Sequence, residues 1–221
     1  MATIDLISEV IPAVNKHDTG TDALNWMEVF KVSHLPIVHE QKYIGLISEA
    51  DIYDMNSPEL TVVDHCLSVR KPFIKEEQHI YEIIDLVAEL KLSVVPVLTS
   101  DENYLGLIRV IDLAQEFARI MSTENPGGII VLELKNYDYS LSEIAQIIES
   151  NDARILSQYI NTSKNSDKLE ITLKLNKTDL SAVIQTFERY SYNIKAVYGN
   201  HKEIDSMMQN RVDSFFKYLD I

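Results

Sequence analysis

A single cysteine, Cys66, is the only thiol in the 221-residue chain. An internal disulfide framework is therefore excluded, and the count fits a reducing compartment. No apolar run approaches the roughly 18 residues that a membrane span needs. The stretch Met1 to Val10 carries Asp5 and Glu9 and no basic cluster, so it does not read as a signal peptide. Glycine and proline number six each, too few for a low-complexity chain. Bases are also scarce: 20 Lys and Arg face 34 Asp and Glu, giving a formal net charge of -14. Neutralising phosphates takes Lys and Arg, so neither nucleic acid nor an anionic membrane is expected as a partner. Any phosphate site would have to be built locally, against the field of the whole chain.

Catalytic and metal motifs are missing as well. The histidines His17, His34, His39, His65, His79 and His201 show no metal-ligand spacing. There is no G-x-S-x-G and no P-loop. Cys66 lies next to His65 and two residues from Asp64, but neighbours on a helix do not face each other. A buried small hydrophobe is the plainer reading of Cys66. The chain is expected to be cytoplasmic and non-enzymatic, with no catalytic residue, no metal and no required cofactor.

What is present is a repeat. The hydrophobic fraction of 46 % is enough for a full core, and it is organised twice. His34-Leu35-Pro36-Ile37-Val38 corresponds to Val94-Val95-Pro96-Val97-Leu98, with the prolines 60 apart. Going back, Pro12 matches Pro72, Val14 matches Ile74, Leu24 matches Ile84, Phe30 matches Leu90 and Ser33 matches Ser93. Going forward, Tyr43-Ile44-Gly45-Leu46-Ile47 matches Tyr104-Leu105-Gly106-Leu107-Ile108 at a spacing of 61, as do Asp51 and Asp112. One residue has been inserted in the intervening turn, where insertions are cheapest.

The unit has a physical reading. Thr21 is a candidate helix N-cap, and Ala23, Met27 and Phe30 follow on one helical face. In the second copy Ile80, Ile83, Ile84, Val87 and Leu90 form a clearer apolar stripe. A short apolar strand then begins near a proline, where a missing N–H is tolerated. A polar turn and a second strand complete a hairpin, and Asp51 or Asp112 stands where the next helix begins. Each unit thus reads helix, strand, strand, helix. It is too small to bury its own sheet face, so two units should pack together.

Residues 5 to 120 resemble a tandem pair of cystathionine-β-synthase (CBS) repeats. The resemblance is carried by Leu35-Pro36-Ile37-Val38 with Gly45 to Asp51, and by Val95-Pro96-Val97-Leu98 with Gly106 to Asp112. It implies two βαββα-type repeats whose cleft takes an adenosine-containing ligand: AMP, ADP or ATP in a regulatory role. A Ser or Thr three residues before an Asp is the recurrent element. The carboxylate suits ribose hydroxyls, and a hydroxyl with backbone N–H groups suits a phosphate. Repeat one has both, Ser48 and Asp51. By resemblance Ile11, Pro12, Val14, His34, Leu35 and Pro36 would surround the base. Repeat two keeps Asp112 but has Arg109 in place of the hydroxyl. That arginine could pair with phosphate or fill the cleft. One competent site, in repeat one, is expected. Ser48 and Asp51 could equally be helix caps, since both residue types are favoured there.

Asn125-Pro126-Gly127-Gly128 reads as a linker. Beyond it, strand candidates Ile129 to Leu134, Ile155 to Ile160, Leu169 to Leu175 and Ile194 to Tyr198 alternate with helices marked by Leu141, Ile144, Ala145, Ile148 and by Leu180, Val183, Ile184, Phe187. The order βαββαβ predicts a ferredoxin-like sandwich. Its length and place resemble an ACT domain, in an arrangement similar to the acetoin-utilisation accessory protein family. Tyr139 falls near the glycine of the usual ligand turn, which favours dimerisation over amino-acid binding. Ile204, Met208, Val212, Phe215 and Leu219 mark an amphipathic C-terminal helix. The expected organisation is α/β (α+β): repeat one at 1–60, repeat two at 61–124, the ACT-like domain at 125–200 and the helix at 201–221. The expected function is nucleotide sensing by a homodimer. The alternative is a ligand-free dimeric scaffold that docks on a partner enzyme.

Overall fold

The computed structural model describes residues 3–8, 10–55, 57–62, 71–162 and 167–199. Cys66 with His65, and the helix expected at 201–221, lie outside the described residues. The chain divides into two compact units, Met1–Glu116 and Phe117–Ile221.

The first unit holds the two repeats. Repeat one runs β1 (Val14–Asn15), α1 (Gly20–Phe30), β2 (His34–His39), β3 (Lys42–Ser48) and α2 (Glu49–Tyr53). Repeat two runs β4 (Ile74–Lys75), α3 (Ile80–Leu90), β5 (Val94–Leu98), β6 (Tyr104–Arg109) and α4 (Val110–Ile120). Each sheet has its long hairpin antiparallel and its two-residue strand parallel to the middle strand. Those two-residue strands carry too little pattern to be read from periodicity. They also explain the prolines. β1 pairs only with Ile37 and Val38, and β4 only with Val97 and Leu98, so the middle strands are edges on that side at Pro36 and Pro96.

One hydrophobic core serves both repeats. It joins Val14, Ala23, Leu35 and Ile47 to Ile74, Ile83, Val95 and Ile108, as expected of units that cannot bury a sheet face alone. The N-terminal 3-10 turn Thr3–Leu6 leads a segment that crosses onto repeat two, where Ser8 N–H donates to Leu107 C=O at 2.8 Å. Gly106 is glycine for this reason: a Cβ there would come within 2.4 Å of an Ile7 methyl.

Helix α1 is capped by Thr19, not by Thr21. Thr19 Oγ1 accepts from the Asp22 N–H at 3.1 Å, and Asp22 Oδ2 accepts from the Thr19 N–H at 3.0 Å. Thr21 instead gives its N–H to Pro58 C=O at 3.0 Å. A hydroxyl two residues upstream won because Asp22 sits three residues after it and closes a reciprocal capping box.

The second unit begins with the end of α4 and continues β7 (Ile129–Lys135), α5 (Leu141–Glu149), β8 (Ile155–Thr162), β9 (Lys168–Leu175), α6 (Ser181–Arg189) and β10 (Asn193–Tyr198). The sheet order β10-β7-β9-β8, antiparallel throughout, is the ferredoxin-like topology. Ile130, Leu132, Ile171 and Leu173 alternate along the central strands and bury against Ile144, Ile148, Val183 and Phe187 of the helices. Gly127-Gly128 is not slack chain. A Cβ on Gly127 would lie 1.8 Å from the Leu175 carbonyl oxygen, and Gly128 C=O accepts from the Leu175 N–H at 2.9 Å.

Candidate functional site

The two repeats meet at a seam built from register mates. Ser33 and Ser93 each precede the middle strand of their repeat. Ser33 C=O accepts the Glu49 N–H that opens α2, and Ser93 C=O accepts the Val110 N–H that opens α4, both at 3.0 Å. The serines then bond to each other across the seam: Ser33 N–H donates to Ser93 Oγ at 2.9 Å. The starts of α2 and α4 are thus tied together through two residues. Sequence reasoning matched these serines but assigned them no role. Their repetition at 60 residues, each just before a buried strand, was the available signal.

His34 completes the seam. Its Nδ1 accepts from the Ser93 N–H at 3.3 Å and lies 3.1 Å from both Ser33 Oγ and Ser93 Oγ. A backbone N–H can only donate, so Nδ1 carries the lone pair and Nε2 the proton. Burial lowers the imidazole's pKa from its usual 6.5, an effect partly countered by the Asp51 carboxylate. Repeat two has Val94 at this position.

Ser48 and Asp51 head α2 in a capping box. The Asp51 N–H donates to Ser48 Oγ at 3.1 Å, while the Ser48 N–H and Oγ–H donate to Asp51 Oδ2 at 2.8 and 2.6 Å. Among the described residues no bond reaches Oδ1, and Asp51 is exposed. At the matching place in repeat two, Arg109 closes on Asp112. Its Nε donates to Oδ2 and its terminal nitrogen to Oδ1, each at 2.6 Å. Both carboxylate oxygens are therefore engaged, in a pair 38 % and 22 % exposed.

The remaining predicted residues fall into two groups. Val14 and Leu35 are fully buried and Ile11 nearly so; with Pro36, also buried, they belong to the interior. Pro12 is exposed. Thus Ser48, Asp51 and His34 are brought together, Arg109 and Asp112 form the matching pair, and the apolar members stand behind them. An open cavity of about 520 Å³ reaches the seam from the helical side, past Met27, Glu28, Lys31, Glu49 and Tyr53 to Ser33 and Ser93. None of the ten predicted residues lines it.

No metal-binding group of His, Cys, Asp and Glu forms among the described residues, and no described helix is long and apolar enough to cross a membrane. In the second unit Tyr139 packs on the core, and its hydroxyl accepts from Gln158 Nε2 at 3.1 Å.

The CBS domain family matches residues 4–56 and 64–131, together more than half of the chain. Among curated proteins, inosine-5'-monophosphate dehydrogenase of Methanocaldococcus jannaschii is 27 % identical over 109 residues, which is 49 % of this chain and 22 % of that one. The chain thus spans about a fifth of the length of this curated relative. Among solved structures, a CBS domain pair/ACT domain protein of Thermotoga maritima is 18 % identical with a TM-score of 0.48, covering 54 % of this chain and 98 % of its own. CBSX2, solved in complex with AMP, is 16 % identical with a TM-score of 0.45, covering 54 % and 97 %.

Proposed function

The chain belongs to the CBS domain family, and from that premise we propose that it is a non-enzymatic regulatory protein sensing one adenine nucleotide through repeat one. AMP, ADP or ATP would sit with its ribose on Asp51. Occupancy would be passed on through the Ser33–Ser93 seam as a change in packing of the repeats. The observation that carries this is the unequal state of the two aspartates. Asp51 keeps an oxygen unused by its capping box, whereas Asp112 is closed by a bidentate guanidinium. A ribose diol needs an acceptor that is not already taken.

Calorimetry with AMP, ADP and ATP tests it. Asp51→Ala should remove binding, and Asp112→Ala should retain it at one nucleotide per chain. Binding that survives Asp51→Ala and disappears in Asp112→Ala would place the site in the other repeat.

A second reading has its own observation. The Ser48–Asp51 box repeats, bond for bond, the Thr19–Asp22 box, where no ligand is proposed. On that reading the pair only starts a helix, and the chain is a ligand-free dimeric scaffold for a partner enzyme. A thermal-shift panel separates the two, because a ligand bound only by the native state adds about 2.7 kcal/mol at 100 times its Kd. In either case the ferredoxin-like unit is read as an ACT-like dimerising domain, with Tyr139 near the glycine position of the usual ligand turn. Sedimentation velocity at micromolar concentration should then show a dimer, and a species near 25.3 kDa alone would contradict it.

A further inference from the structure

The seam carries a polar strip across both repeats, and among the described residues its one guanidinium is Arg109. Ser48 stands opposite His34 in one hairpin, and Arg109 stands opposite Val94 in the other. His34 and Ser93 bridge the two hairpins. The strip therefore runs Ser48, His34, Ser93, Arg109 across four strand ends. Its repeat-one end is acidic, with Glu49 and Asp51 in the first turn of α2. A ligand that brings phosphates to this strip needs a counter-charge, and the chain's net charge of -14 makes that need acute.

We propose that Arg109 reads the number of phosphates on the nucleotide, exchanging the Asp112 carboxylate for a terminal phosphate of a di- or triphosphate. The exchange is favourable for three reasons. A partly exposed ion pair between neighbours three residues apart contributes little to stability, so releasing it costs little. A guanidinium binds a phosphate through the same two-pronged geometry it now uses on Asp112. Finally, the phosphate is richer in charge than the carboxylate it replaces. On this proposal only the second or third phosphate of a nucleotide seated on Asp51 meets the arginine, so AMP gains nothing from it. This rests on the nucleotide reading above and adds to it the class of ligand preferred: nucleoside di- and triphosphates over monophosphates.

Calorimetric titration of the full chain with AMP, ADP and ATP at one fixed ionic strength decides the matter. Wild type should bind ATP about tenfold or more tighter than AMP, the worth of one charge-assisted contact. Arg109→Gln should bring the three affinities to within about twofold of each other while leaving AMP unchanged. Arg109→Lys should fall between, keeping charge but not the fork. Asp112→Asn, which loosens the competing pair, should tighten ATP about two- to fivefold and leave AMP alone. A preference for ATP that persists in Arg109→Gln overturns the proposal. So does a second equivalent of nucleotide in that variant, which would make Arg109 a plug for repeat two. If no nucleotide binds wild type, the sensing function itself fails, an outcome distinct from binding that ignores phosphate number.

Discussion

The two repeats have one backbone and two chemistries. Both hairpins carry a register shift at the same place, after Ile37 and after Val97. Both long helices end on a lysine in the left-handed conformation, Lys31 at φ 56° and Lys91 at φ 53°. Both following helices hang on a serine carbonyl. Yet Ala23 answers to Ile83 in the core, His34 to Val94 at the seam and Ser48 to Arg109 at a helix start. The shared features are the ones that pack two small sheets into one core. Two of the three differences lie where the repeats touch or where a helix begins, places where a duplicated unit can diverge without losing its partner, and the third lies in the core itself.

The sharpest test of that division lies in the core. Ala23 and Ile83 are both fully buried on equivalent helices, so the first helix sits closer to its sheet or is filled by other side chains. Ile83→Ala should cost about 2–5 kcal/mol in urea unfolding, through lost burial and the cavity left behind. Ala23→Ile should cost about 1–3 kcal/mol by overpacking. If Ala23→Ile were neutral, the smaller residue would mark a void and the two halves of the core would not be equally packed.

A smaller effect is expected at the helix starts. Ser48→Ala removes the hydroxyl of a capping box and should cost about 0.5–2 kcal/mol. Arg109→Ala breaks only a partly exposed ion pair and should cost less than about 1 kcal/mol. Thr19→Ala serves as the internal standard, because its box has the same three bonds. A Ser48→Ala loss matching Thr19→Ala, with no change in nucleotide affinity, would assign Ser48 to helix initiation alone.

Much of this architecture was legible in the sequence. The repeat spacing located both hairpins and both middle-strand prolines, and the apolar stretches Ile129 to Leu134 and Leu169 to Leu175 marked the two central strands of the second sheet. Capping was misplaced by two residues because Thr19 and Thr21 are equally good caps by type; only the partner at Asp22 distinguishes them. The two-residue strands carried no period at all. At the site, Ser48 with Asp51 and the substitution at Arg109 could be read from the register. What could not be read was pairing across the seam. That Ser33, Ser93 and His34 bond to one another depends on how the two copies turn toward each other. Nor did the sequence say that Leu35 and Val14 face the interior, since a base pocket and a core draw on the same apolar residues.

The last and smallest expected effect concerns protons. At the seam His34 places an imidazole where repeat two has Val94, which cannot titrate. In the folded chain Nδ1 receives the Ser93 N–H, so a proton there would set two donors against each other. Burial opposes the charge as well, and the nearby Asp51 carboxylate only partly offsets it. The folded pKa therefore lies below the unfolded value of about 6.5. Between those two values the unfolded chain binds more protons than the folded one, so stability rises with pH across that window. Acidification from pH 8 should thus begin to lower stability near pH 6.5, and this contribution should be fully lost below the folded pKa. His34→Val, which copies repeat two, removes both the titration and the acceptor for Ser93. It should be less stable than wild type at pH 8, where the bond is intact. The gap should then narrow as the pH falls, because only wild type has a proton to take up at this place. Urea midpoints for the two proteins at pH 8, 7, 6 and 5 give the difference directly, and the other histidines and carboxylates cancel in it. Parallel curves would mean that His34 titrates alike in both states, and that the seam is held by Ser33 and Ser93 without it.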